Sequence, residues 1–257
     1  MKKIKQTLEK ALIEAGEIIK KAGEKPISIE YKSPVSLVTK SDKAAEALII
    51  KIIKKNFPNH SILAEESNPS GNSNCKWIID PIDGTTNFAH GLPACCVSIG
   101  YEENGIVQIG GVLNPFLDEF FFAERGKGAR LNGKKIRVSK TKKLAASLLA
   151  TGFPYDRRKR AKYYLKFIEE FMLCTHGIRR LGSSAIDLCY VACGRFDGYW
   201  EFNLQAWDQS AGCLIVEEAG GQLSDFTGKP MNIYGRQTLA TNGFIHQEML
   251  TIIKKLL

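Results

Sequence analysis

Between Trp77 and Gly91 the sequence reads WIIDPIDGTTNFAHG. Three apolar residues run into Asp80; a second carboxylate follows at Asp83, then Gly84, Thr85 and Thr86. Asp-Pro and Asp-Gly are ordinary turn dipeptides, and a plain turn accounts for Asp83 and Gly84. It does not account for a carboxylate at the strand end itself, nor for the two hydroxyls that follow. A chemical reading accounts for all of them. Two close carboxylates repel each other unless a cation lies between them. Oxygen donors suit hard divalent cations, Mg2+ above all. Gly84 lets the backbone approach a ligand closely, and a helix opened by Gly84-Thr85-Thr86 turns its first N–H groups towards phosphate. Metal and phosphate side by side point to phosphoryl chemistry.

Two further segments carry candidate partners. Ile62-Leu63-Ala64 is a short apolar strand ending in Glu65-Glu66, 15 residues before Asp80. A double Glu there is either a solvated strand end or the end of a strand beside Asp80. In AWDQSAGCLIVEEAGG, residues 206–221, Trp207-Asp208 precede an apolar helical face of Ala211, Leu214, Ile215 and Ala219. Asp208 either caps that helix or joins the other acids. Gly220-Gly221 end the helix, and Glu217 and Glu218, far from its N-terminus, read as structural. No Ser/His/Asp or Cys-based nucleophile arrangement is evident. The four histidines (60, 90, 176 and 246) are scattered and read as structural or surface residues.

These residues need elements to hold them. Residues 2–23 carry Ile4, Leu8, Leu12, Ala15, Ile18, Ile19 and Ala22, the spacing of a helix with one apolar face. A second helix is predicted over 42–56, with Ala45, Leu48, Ile49, Ile52 and Ile53 inward. Lys32-Ser33-Pro34-Val35-Ser36 between them reads as a loop or short hairpin. Residues 96–124 turn to strands, CVSIGYEE, IVQIGGVLN and EFFFAE, with turns marked by Asn104-Gly105 and Asn114-Pro115. Further helices fit 158–173, 184–193 and 245–257. No repeat or linker is visible, and blocks of helices and meander strands predict a layered α+β architecture.

With 257 residues and 44% hydrophobic content, the chain is one large domain or two closely packed lobes. No uninterrupted run of about 18 apolar residues suggests a membrane span, and MKKIKQTLEK lacks the apolar core of a signal peptide. Seven cysteines form no C-x-x-C pair and read as reduced core residues of a cytoplasmic protein. Cys189 and Cys193 stand one helical turn apart but lack a second pair or a nearby His for a metal. Net charge is +9. The basic runs at 134–143 and at Arg157-Arg158-Lys159-Arg160 read as solvated faces that also attract anionic substrates. Nucleic-acid binding is the weaker reading, because the runs lack interleaved aromatics and match no nucleic-acid module.

Taken in order, Glu65-Glu66, Asp80-Pro81-Ile82-Asp83-Gly84-Thr85-Thr86-Asn87-Phe88, Trp207-Asp208-x-x-Ala211-Gly212 and Glu218-Ala219-Gly220-Gly221 resemble the inositol monophosphatase family of Mg2+-dependent, lithium-sensitive phosphatases. The resemblance runs over nearly the whole chain. It implies an α+β fold, a layered αβαβα sandwich of the inositol monophosphatase / fructose-1,6-bisphosphatase type. It further implies one catalytic domain over 1–257, with an N-terminal lobe to about residue 143, a C-terminal lobe from about residue 144, the site between them, and a homodimer. Glu65, Asp80 and the Ile82 carbonyl would hold one Mg2+; Asp80, Asp83 and Asp208 a second, with Asp80 bridging; Glu65 would support a weaker third. Gly84, Thr85 and Thr86 would bind phosphate, Gly84 and Thr85 through their N–H groups.

The resemblance also puts Asp42 behind Thr85 as a proton-accepting dyad, with Glu65 orienting the same water. Read without it, Asp42 is equally an N-cap or first-turn acid. Glu201, seven residues before Asp208, matches the acidic position that contacts inositol hydroxyls; its plain reading is an exposed strand end. Gly182-Ser183-Ser184-Ala185 matches the segment on the sugar side. The sequence departs from animal members in two places, a short spacer over residues 67–76 and Ala206 before Trp207 where they can carry a cysteine; the first leaves the rim, and hence selectivity, open. The implied activity is hydrolysis of myo-inositol monophosphate by metal-activated water. The alternatives are the same chemistry on fructose 1,6-bisphosphate, histidinol phosphate or a nucleotide, the last disfavoured by Glu201. An accessory role in transcription antitermination is a further alternative, as for some bacterial members.

Overall fold

The structure, a computed structural model, describes residues 1–24, 29–33 and 36–257. Helix α1 (Lys2–Gly23) buries Ile4, Leu8, Ala11, Leu12, Ala15 and Ile19, the stripe that its sequence spacing predicts. Strands β1 (Ile29–Ser33) and β2 (Ser36–Thr39) pair as an antiparallel hairpin, and the Pro34-Val35 expected within it lies outside the described residues. Helix α2 (Lys40–Asn56) starts two residues before the predicted position because Thr39 caps it. The Thr39 hydroxyl accepts from Ser41 N and Asp42 N, and the Asp42 carboxylate accepts from Thr39 N at 2.8 Å, a reciprocal capping box.

The chain then runs through β3 (Ser61–Ala64), β4 (Cys75–Asp83), the short α3 (Thr85–Ala89), β5 (Cys96–Glu103), β6 (Ile106–Asn114), β7 (Glu119–Glu124), β8 (Ala129–Leu131) and β9 (Lys134–Lys135). These strands form a seven-stranded sheet in sequence order, with β3 parallel to β4 and the remaining pairs antiparallel. Next come β10 (Leu148–Thr151), α4 (Arg157–Cys174), β11 (Gly177–Arg179), α5 (Ser184–Ala192), β12 (Gly198–Phe202), α6 (Ala206–Glu218), β13 (Gln222–Ser224), β14 (Gln237–Thr241) and α7 (His246–Leu256). Their strands make a five-stranded sheet in the order β11-β10-β12-β14-β13.

Side-chain alternation sorts the two sheets into five layers. Trp77, Ile79, Ile109 and Phe122 pack on α1 and α2, whereas Val112 and Phe121 face the other way, towards α5 and α6. In the second sheet Ala150, Tyr199 and Ala240 face those same two helices, and their neighbours Leu149, Trp200 and Leu239 face α4 and α7. Helices α5 and α6 are therefore buried on both sides. This fits the nearly all-round burial of α6 from Gln209 to Val216. Among the described residues no helix is long and apolar enough to cross a membrane.

His246 pins the edge of the second sheet to α7. It is buried, with Nε2 3.0 Å from Ser224 Oγ and Nδ1 3.0 Å from Thr241 Oγ. The Ser224 hydroxyl donates to Asp225 O, so its lone pair accepts from Nε2–H, and Nδ1 accepts from Thr241. One neutral tautomer satisfies every group. Burial pushes the imidazole pKa down to about 4. The unfolded chain therefore binds the extra proton first as pH falls. The stabilisation is complete above about pH 6.5 and is lost on acidification towards pH 4. His246→Gln is expected to be less stable than wild type at pH 7, with the gap narrowing by up to about 3 kcal/mol by pH 4 in urea unfolding. Parallel pH dependence in the two proteins would refute the assignment.

Candidate active site

Asp80 and Asp83 stand three residues apart on β4, and in a regular strand they would leave opposite faces. The register with β5 resolves this. Asp80 pairs with Ser98 and Asp83 with Cys96, so Pro81 and Ile82 together oppose Val97 alone. That one-residue bulge, at a proline that has no N–H for the ladder, restores the parity and turns both carboxylates to one side. Gly84 follows in the left-handed region at φ 91°, where a Cβ would also meet the Ala94 carbonyl oxygen at 2.8 Å. It is the N-cap residue of α3, whose first residue is Thr85.

Three other elements converge on this corner. β3 runs parallel to β4, and the Glu65 N–H, one residue past its end, donates to the Ile79 carbonyl at 3.2 Å, beside Asp80. Helix α6 brings Asp208 from the opposite side. It lies tight on the first sheet because Gly100 and Gly110 have no Cβ: one at Gly110 would meet Ala211 Cα at 2.8 Å. Asp208 Oδ2 accepts from Gln205 N at 2.6 Å, so the helix-capping reading of this residue holds together with its place among the acids. Ligand-capable oxygens of Asp80, Asp83 and Asp208 all lie within 4.8 Å of one another. The start of α5 holds Asp83: Ser183 Oγ and Ala185 N donate to its Oδ2 at 2.7 and 2.6 Å.

Of the substrate-side candidates, Gly84, Thr85, Thr86, Ser184 and Glu201 line the cleft with Glu65, Asp80, Ile82, Asp83 and Asp208. Ser183 and Ala185 do not line it; they are buried and spend their hydrogen bonds on Asp83. Ser184 Oγ donates to the Asp208 carbonyl at 2.9 Å. Asp42 also lies behind the surface, fully buried. Its Oδ2 takes the Thr39 N–H and hydroxyl, leaving Oδ1 3.2 Å from Thr85 Oγ. The single Thr85 hydrogen has a second acceptor, the Ile82 carbonyl, at 3.0 Å. Asp42 is thus both the first-turn capping acid and the partner of Thr85. Glu201 is not the exposed strand end of its plain reading: it is 9% exposed and accepts from the Tyr199 hydroxyl.

The electrostatics point to a cation. Burial, then Glu65, Asp83 and Asp208, push the Asp80 carboxyl well above its ordinary range. Asp208 is raised well up chiefly by burial and then by Asp83. Asp83 rises to about 6 through burial, opposed by the donors at the start of α5. Asp80 Oδ1 is buried and has no hydrogen-bond partner among the described residues. Buried, crowded carboxylates with an orphaned oxygen and hard oxygen donors fit a divalent metal ion.

Sequence reasoning missed the other wall. Gly152, Phe153, Tyr155, Arg157 and Arg180 also line the cleft. Arg157 belongs to a run whose composition reads as a solvated face. Arg180 had a signal in hindsight, a basic residue two before Gly182. Asp187, buried in α5, does not line the cleft, and among the described residues neither of its oxygens has a hydrogen-bond partner. Glu217 and Glu218 are structural, as expected: Glu217 pairs bidentately with Arg125 at 3.0 Å, and Glu218 accepts from Gly126 N and Gly128 N at 2.7 Å.

Comparison with known proteins gives the family. The model of the inositol monophosphatase family matches residues 1–256. An inositol-1-monophosphatase of Synechocystis sp. is 51% identical over 219 residues, 83% of this chain and 75% of that protein. The Nus factor SuhB of Pseudomonas aeruginosa is 42% identical over 248 residues, 93% of this chain and 92% of that one. Among solved structures, the inositol monophosphatase of Anabaena superposes with a TM-score of 0.89 at 43% identity, covering 97% of this chain and 94% of its own. With the family model matched over residues 1–256 and two relatives 51% and 42% identical over most of their own length, this chain belongs to the inositol monophosphatase family.

Proposed function

We propose that the protein is a Mg2+-dependent phosphomonoesterase acting on myo-inositol monophosphate, with a water molecule as nucleophile. The observation that carries the reading is the trio Asp80, Asp83 and Asp208, with oxygens within 4.8 Å, beside the helix start at Thr85. Glu65, Asp80 and the Ile82 carbonyl are the residues to hold one Mg2+, and Asp80, Asp83 and Asp208 a second, with Glu65 also supporting a weaker third. Bound Mg2+ supplies Lewis acidity towards water and phosphate oxygens.

The chain does the rest. The N–H groups of Gly84 and Thr85, with Thr86, face the phosphate, where a helix start favours negative charge. Arg157 and Arg180 on the far wall add positive charge for an anionic ester. Thr85 Oγ takes the proton of the attacking water as it passes its own to Asp42 Oδ1, with Glu65 orienting the same water. Burial of Asp42 raises its pKa, which suits an acceptor. Glu201 accepts hydrogen bonds from the hydroxyls of the polyol, and Ser183, Ser184 and Ala185 support that side of the cleft. Phosphate release across a panel of phosphate esters tests the substrate: inositol monophosphate is expected to rank above fructose 1,6-bisphosphate and nucleotides.

The relatives named Nus factor SuhB support a second reading, an accessory role in transcription, to which the basic run at 134–143 lends charge. A salt-dependent pull-down of RNA and RNA polymerase separates it from catalysis. The protein is also read as a cytoplasmic homodimer, which light scattering can check for its oligomeric state.

Asp83→Asn removes one negative charge from the trio while keeping an acceptor for Ser183 and Ala185. The variant is expected to fold, to bind Mg2+ more weakly by calorimetry, and to lose activity by at least about a hundredfold. Near-wild-type turnover at saturating Mg2+ would sink the metal assignment. Thr85→Ala and Asp42→Asn should each lower kcat strongly with little change in Mg2+ dependence. The double variant should be scarcely worse than either, because a shared relay is lost once; multiplied losses would mean that the two act separately. Li+ at millimolar concentration and fixed Mg2+ is expected to inhibit phosphate release, and insensitivity would set this site apart from the lithium-sensitive members of the family.

A further inference from the structure

Tyr199 and Glu201 stand two residues apart on β12, so both side chains leave the face of the sheet that packs on α5. Tyr199 is fully buried, and its hydroxyl donates to Glu201 Oε2. It does not line the cleft, whereas Glu201 does. From the neighbouring strand comes a second constraint. β10 and β12 are parallel with Thr151 opposite Trp200, so the next residue, Gly152, lies level with Glu201. The same alternation aims any side chain at position 152 to the face that Glu201 occupies. A Cβ built there would overlap both carboxylate oxygens of Glu201. The carboxylate therefore rests on the bare Cα of Gly152, with one oxygen tied to a buried phenol.

We propose that Tyr199 and Gly152 are positioning residues that determine specificity, because together they leave Glu201 Oε1 as the one oxygen offered, in one orientation, to a hydroxyl of the substrate. The inference rests on the reading of Glu201 as the polyol acceptor. A carboxylate free to rotate would accept from a ring of hydroxyls in several poses, only one of which brings the ester to the acids; a pinned one selects that pose. A buried carboxylate oxygen also needs a donor, and the Tyr199 hydroxyl supplies it without entering the cleft. The preference should thus act on substrates with a hydroxyl near the ester and not on aryl phosphates. That difference separates positioning of Glu201 from general support of the fold.

The experiment compares myo-inositol 1-phosphate with p-nitrophenyl phosphate for the full chain with Mg2+, in wild type, Tyr199→Phe, Gly152→Ala and Glu201→Gln. Tyr199→Phe removes one oxygen from the core and nothing else. Gly152→Ala displaces the same carboxylate from the other side, so the inference can be judged even if one variant folds poorly. Both are expected to lower the ratio of kcat/KM for inositol phosphate over aryl phosphate by about tenfold, mainly through KM for inositol phosphate. An unchanged ratio in both variants, or equal losses on the two substrates, overturns the inference. If Glu201→Gln lowers the ratio while both positioning variants leave it intact, the inference falls and the reading of Glu201 stands. If Glu201→Gln also leaves it intact, that reading falls and takes the inference with it.

Discussion

Mutual repulsion among Asp80, Asp83 and Asp208, gathered in a cleft where burial limits screening by water, is the constraint around which the structure is organised. Burial and proximity raise the pKa of these carboxylates, and the hydrogen bonds that Asp83 and Asp208 accept oppose only part of that shift. Such a cluster persists only if stiff elements hold each acid independently. The bulged strand β4 holds Asp80 and Asp83, and the first turn of a doubly buried helix holds Asp208. A bound cation would relieve the repulsion, so the folded frame stores a binding site at some cost to its own stability.

Two of these acids, and Asp42 behind them, are tied into backbone structure. Asp208 caps α6, Asp42 caps α2, and Asp83 accepts from the first turn of α5. In each case one carboxylate oxygen serves the fold and leaves the other for chemistry or for a neighbour. This double use limits how far the side chains can rotate. It also links the layers: moving α5 or α6 would disturb Asp83 or Asp208 directly. Glu201 follows the same scheme with a side chain, the Tyr199 phenol, in place of a backbone donor.

Much of the frame was legible in the sequence. The period of 3.6 in α1 and the apolar runs of β5 to β7, separated by turn residues, are long enough for pattern to override chance, and the carboxylate-glycine-hydroxyl run at 80–86 declared its chemistry. The strands of the second sheet were not legible. They are three to five residues long, and the central β10, β12 and β14 carry apolar side chains on both faces because helices cover both. Glu201 on one of them could be taken for an exposed end for that reason.

Sequence by itself determined which residues could bind a metal and a phosphate, and that a helix start follows them, because those properties belong to residue types and local spacing. Only the tertiary structure decided that Asp80 and Asp83 share a face, since parity depends on a bulge defined by the partner strand. It also decided that Asp208, more than a hundred residues on, meets them, and that Ser183 and Ala185 serve Asp83 rather than the cleft. Convergence of this kind is set by how helices lie on sheets, through close approaches such as Gly110 against Ala211. No local pattern encodes that, because the contact exists only once distant segments have packed.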